Sequence, residues 1–71
     1  KLLNYYLLTQ KNNIIIKNLQ YSDRIQIFNT IGELIFSSYS TSNELIIPKL
    51  PLSNGLYFVT INNEVVKLLI Y

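Results

Sequence analysis

No stretch of this chain keeps apolar residues at helical spacing for three turns; its Ile, Leu, Val, Tyr and Phe fall instead in short runs cut by Asn, Ser, Gly and Pro. That pattern predicts an all-β fold. The candidate strands are Leu2–Thr9, Asn13–Lys17, Arg24–Asn29, Glu33–Tyr39, Glu44–Ile47, Leu56–Asn62 and Glu64–Ile70. About seven short antiparallel strands at this spacing favour a sandwich or small barrel over βαβ units, which need helices between the strands. At 71 residues the chain holds one core, so residues 1–71 form a single domain, with 1–12 as a first strand or the remnant of something upstream. It contains no cysteine, so its stability has to come from packing rather than disulfides or a thiolate metal site.

Two turns organise the middle and the end. In Asn29-Thr30-Ile31-Gly32 the asparagine side chain can close an Asx turn. Gly32 can take the positive φ of a three-residue hairpin with a bulge, joining Arg24–Asn29 to Glu33–Tyr39. Asn62-Asn63 predicts a two-residue hairpin, because Asn tolerates left-handed backbone. Registered on that turn, Tyr57 faces Leu68, Val59 faces Val66, and Ile61 and Ile70 share their core face. In the first hairpin Ile25, Ile27 and Ile35 are expected inside. Phe28, Leu34, Phe36, Leu56, Phe58 and Leu69 are expected outside, an unusually apolar exterior for a monomer. Pro48 to Gly55 reads as a connection, since proline cannot donate to a ladder.

Chemistry is thinly supplied. There is no histidine, and the four acids Asp23, Glu33, Glu44 and Glu64 stand singly, reading as solvated rim charges and forming no recognisable metal or acid–base pair. Serines at 22, 37, 38, 40, 42 and 53 lack a nearby base, so no catalytic residue, cofactor or metal site is predicted and the chain is not expected to be an enzyme. Six bases give a formal charge of +2 but are scattered, which leaves no footprint for nucleic acid. No apolar run approaches the roughly 20 residues of a transmembrane helix. The first residue is Lys1, no signal-peptide pattern follows it, and the chain reads as a fragment or tail of something longer. Tyrosines 5, 6, 21, 39, 57 and 71 admit either plain strand packing or a sugar-stacking platform.

Two strings carry a family resemblance. Ile25-Gln26-Ile27-Phe28-Asn29-Thr30-Ile31-Gly32-Glu33-Leu34-Ile35 resembles the "I-x-I-Y/F-N-x-x-G-x-x-V" stretch of C-terminal sorting domains of the type IX secretion system, type A. Leu50-Pro51-Leu52-Ser53-Asn54-Gly55-Leu56-Tyr57-Phe58-Val59-Thr60-Ile61 resembles that family's "L-x-x-G-x-Y-x-V-x-I" segment, and Lys67 falls where the family has a basic residue in its last strand. The family's opening Pro-Asn-Pro segment has no counterpart in Lys1–Asn12, and the last strand holds one lysine where the family tends to have more.

The resemblance implies an immunoglobulin-like β-sandwich that carries an exported cargo on its N-terminal side. It further implies passage through the periplasm to the cell surface or medium, with the outer-membrane translocon and its sorting protease as partners. Lys67, Leu68, Leu69 and Ile70 are then the expected translocon-recognition residues, with Asn29, Gly32, Gly55 and Tyr57 as fold determinants. The rival expectations are an adhesive or carbohydrate-binding accessory sandwich, drawn from the tyrosines, and a structural spacer joined through the apolar exterior.

Overall fold

A computed structural model describes residues 5–49 and 52–71. Among these, seven strands form: β1 (Tyr6–Thr9), β2 (Asn13–Lys17), β3 (Arg24–Phe28), β4 (Leu34–Tyr39), β5 (Glu44–Pro48), β6 (Gly55–Ile61) and β7 (Glu64–Ile70). They divide into a three-stranded sheet ordered β1-β2-β5 and a four-stranded sheet ordered β4-β3-β6-β7, with every pairing antiparallel. The arrangement is that of a β-sandwich. Its fourth strand bonds to the third, where the constant-type immunoglobulin arrangement places it beside the fifth. No helix is long and apolar enough to cross a membrane among the described residues. The expected opening strand overlaps β1 from Tyr6 onward, while its start at Leu2–Asn4 lies outside the described residues, as do Leu50 and Pro51 of the second motif.

The second hairpin has the expected register. Tyr57 pairs with Leu68 and Val59 with Val66. Tyr57, Val59, Ile61, Leu68 and Ile70 all enter the core with Ile14, Ile16, Leu19, Ile25, Ile27 and Ile47. Asn62 and Asn63 have φ of 50° and 76°, the left-handed pair that a type I′ turn demands. Pro48 closes β5 opposite Asn13 and Gly55 opens β6, so the connection expected over Pro48–Gly55 begins and ends inside strands. Pro48 sits at the last position of an edge strand, where a missing N–H costs little.

The first hairpin corrects one expectation. Phe28 pairs with Leu34 but Ile27 pairs with Phe36, which leaves Ile35 as the extra residue of a bulge. Side chains beyond the bulge change face. Phe36 turns inward and packs on the core, while Ile35, expected inside, is 38% exposed. Strict alternation fails in a strand that contains one residue too many. On the outside of the three-stranded sheet, Ile15 lies between Leu8 and Ile46 in one cross-strand row and stays buried although it faces away from the core.

Asp23 is the second correction, because it is a buried residue rather than a solvated rim charge. Its carboxylate accepts from the Gln20 N–H at 2.8 Å, from Asn62 Nδ2 at 2.6 Å and from the Tyr5 hydroxyl at 3.4 Å. The Asp23 N–H donates to Ser40 Oγ at 3.0 Å, and the Ser40 hydroxyl donates to the Gln20 carbonyl. These bonds tie the β2–β3 loop to the end of β4 and to the β6–β7 turn. A carboxylate is tolerated inside when donors surround it. No buried side-chain nitrogen or oxygen is left without a partner among the described residues.

Candidate functional site

The residues expected to be recognised sit on β7, which is an edge strand of the four-stranded sheet. Strand alternation splits them into two pairs. Leu68 and Ile70 point inward and are buried in the core, whereas Lys67 and Leu69 point outward and are exposed. Only the outward pair can meet a partner without unfolding the domain. Lys67 faces Phe58 across the ladder, and Leu69 faces Leu56.

Cross-strand rows place Leu34, Phe28, Phe58 and Lys67 side by side on the outer face, with Leu56 and Leu69 in the next row. Beyond them, Ser37, Gln26, Thr60 and Val65 form a mostly polar row, and Tyr39 pairs with Arg24. The outer face is therefore apolar toward the Gly55 end and polar toward the Asn62 end. Its charged side chains are Lys67 and Arg24, the latter donating through Nη2 to Asn63 Oδ1 at 3.1 Å. This confirms the apolar exterior expected from Phe28, Leu34, Leu56, Phe58 and Leu69, with Phe36 withdrawn from it.

Of the four expected fold determinants, Asn29 and Tyr57 bond through their side chains, and Gly32 and Gly55 take positive-φ backbone. Asn29 Oδ1 accepts from the N–H groups of Ile31 (3.2 Å) and Glu33 (2.9 Å), and Asn29 Nδ2 donates to Glu33 Oε1 at 2.7 Å. The Gly32 N–H donates to the Asn29 carbonyl at 3.1 Å with φ at +88°, a conformation that glycine adopts without a Cβ penalty. Gly55 enters β6 at φ +145°, again in glycine territory. Tyr57 is buried and its hydroxyl donates to the Ser53 carbonyl at 2.6 Å, pinning the chain that leads into β6. Beside it a cleft of roughly 620 Å³ is lined by Phe36, Ile47, Leu52 and Tyr57 with Asn29 and Ser53 as polar members. The cleft is not legible in the sequence, because strict alternation puts Phe36 outside and only the bulge turns it inward.

Nothing in these surfaces assembles an acid–base or nucleophilic set. Ser40, the one buried serine, spends its hydroxyl on the Asp23 knot. No three Asp or Glu side chains stand close enough to hold a metal ion among the described residues. Tyr6 and Tyr39 are exposed on the outer faces of different sheets, so they do not share a platform.

By class the fold is a small two-sheet β-sandwich with an apolar outer face and an exposed edge strand. The model of the secretion system C-terminal sorting domain family matches residues 8–70, and the chain belongs to that family. It is a sorting signal of type IX secretion, a class of domain borne by exported proteins. No curated protein and no solved structure matches the chain.

Proposed function

We propose that this domain directs an attached cargo through the type IX outer-membrane translocon to the cell surface or medium, and does so without chemistry of its own. The cargo lies on the N-terminal side and crosses the periplasm on the way. The translocon and its sorting protease are the partners, and recognition centres on the outward residues of the last strand, Lys67 and Leu69. The observation that carries this reading is the family match over residues 8–70, which spans both motifs and all seven strands except the first two residues of β1.

The test is a signal-peptide-bearing fluorescent reporter fused ahead of these residues and expressed in a bacterium with a type IX apparatus. Fluorescence should reach the surface or medium, and should be lost in a translocon mutant. Retention of a folded fusion in the periplasm would refute the proposal. Deleting Lys67–Tyr71 is a poor test on its own, because it removes the buried Leu68 and Ile70 and so unfolds the sandwich. Substituting Lys67 and Leu69 leaves the core intact.

A further inference from the structure

Among the described residues the two sheets have four edges, and three of them carry features that discourage another strand. β1 is only four residues long, β5 ends in Pro48, and β4 is broken by the bulge at Ile35. Short length, proline and bulges are the ordinary means by which sheets avoid edge-to-edge pairing. β7 has none of these. It runs seven residues, contains no proline, and pairs with β6 through Ile70 without a register shift. Its inward positions past the turn are Val66, Leu68 and Ile70, all apolar, and the one charge of that parity, Glu64, stands at the turn before the stretch that would pair.

The backbone of that edge is open. In an antiparallel ladder, alternate residues turn their N–H and C=O groups away from the partner. Since Ile61 and Glu64 close a two-residue turn as a hydrogen-bonded pair, the outward-directed groups belong to Val65, Lys67 and Leu69. None of the turn, loop or cap bonds between backbone groups of the described residues involves these three.

We propose that the outer edge of β7 receives an extended strand from a second protein, and that this strand presents a carboxylate opposite Lys67 flanked by apolar side chains opposite Val65 and Leu69. Strand alternation fixes the pattern as apolar, any, Asp or Glu, any, apolar, whichever direction the strand runs. Charge selects this occupant over another copy of the same domain. Two β7 edges paired about their centres would place Lys67 against Lys67, and like charges directly opposite are destabilising. No acidic side chain lies on the outer-face rows that flank Lys67 among the described residues, so its complement has to come from outside.

The size of the apolar face points the same way. Four strands about 4.8 Å apart and at most about 23 Å long give the whole outer face no more than roughly 440 Å², of which only the part toward Gly55 is apolar, well below the roughly 800 Å² per partner of a stable complex. Face burial alone therefore supports a passing contact. Strand addition supplies main-chain hydrogen bonds that do not depend on area. The inference rests on the sorting reading, since the translocon side is where such a strand is sought.

Two experiments test it. Amide hydrogen exchange on the isolated domain should find Val65, Lys67 and Leu69 exchanging about 100-fold faster than Val66, Leu68 and Ile70. Protection of all six would mean the edge is already closed and would overturn the proposal. In the reporter fusion, Lys67→Pro removes the outward-facing N–H together with the charge, and Lys67→Glu reverses the charge while keeping the backbone. Each should leave the circular dichroism of the domain unchanged and lower export about tenfold or more. If the proline variant does not fold, Lys67→Glu carries the test alone. Normal export of folded Lys67→Glu overturns the inference, as does export that fails with Leu56→Ser but survives Lys67→Pro, because the face rather than the edge would then be docking. Failure of the unmodified fusion to leave the periplasm is a different result, which removes the sorting reading and the partner with it.

Discussion

Replacing Asn62 by glycine should damage this domain far more than the same replacement at Asn63, although the two residues are neighbours in one turn. Both have positive φ, at 50° and 76°, and glycine accepts both. The turn itself therefore survives either change. What differs is the side chain. Asn62 Oδ1 accepts from the Arg24 N–H at 2.8 Å and Nδ2 donates to the buried Asp23 carboxylate at 2.6 Å. A neutral hydrogen bond is worth about 1 kcal/mol and one to a charged group about 1.5 kcal/mol or more, while the extra chain entropy of glycine adds about 0.5 kcal/mol. The expected loss is about 2–3 kcal/mol, which for a domain of this size lowers the melting midpoint by about 10–20 °C. Asn63 contributes only an exposed contact to Arg24, and glycine is favoured at the second position of a type I′ turn, so Asn63→Gly should stay within about 0.5 kcal/mol of the parent. Urea and thermal unfolding followed by circular dichroism measure both, with an unchanged urea slope confirming that the denatured state is comparable. Equal losses at the two positions would refute the idea that the Asp23 knot, rather than the turn, holds this end of the sandwich.

Three further substitutions probe other elements. Phe36→Ala should cost about 3 kcal/mol against about 1 kcal/mol for Ile35→Ala, and the reverse order in a denaturant titration would mean that the bulge is misplaced. Gly55→Ala, at φ +145°, should lower stability by about 1–3 kcal/mol through backbone strain alone, since a Cβ there meets no atom within 4 Å; an unshifted midpoint would contradict this. Tyr57→Phe removes only the bond to the Ser53 carbonyl and should cost about 1 kcal/mol by the same assay, with no loss implying that water replaces it freely.

The sequence made much of this fold legible because its turns are chemically explicit. Asn62-Asn63 has few backbone options, and from it the whole β6–β7 register follows, including which of Lys67 to Ile70 point outward. Asn29 and Gly32 likewise announce their hairpin. The bulge at Ile35 was invisible because nothing in a run of Leu, Ile and Phe marks which residue is extra. Burial of Asp23 was equally hidden, since its donors come from residues 5, 20 and 62, far apart along the chain. For the candidate surface, residue identities gave the apolar exterior, but which strands are edges depends on sheet order, and sheet order is a property of the assembled topology.

That order also dictates when the domain can exist. β3 lies in the middle of its sheet, bonded on one side to β4 a few residues away and on the other to β6, where Ile27 meets Val59. A chain emerging from the ribosome can close the first hairpin early, but the other flank of β3 stays bare until β6 has been made. Such late, long-range pairing belongs to slow folders, on the order of milliseconds to seconds. Any product halted before Gly55 would expose a central strand as a sticky rim, prone to aggregation or proteolysis. A folded sandwich is thus itself a certificate that synthesis has run past β6, and quality control can read from the compactness of this domain that its own strands have all been made.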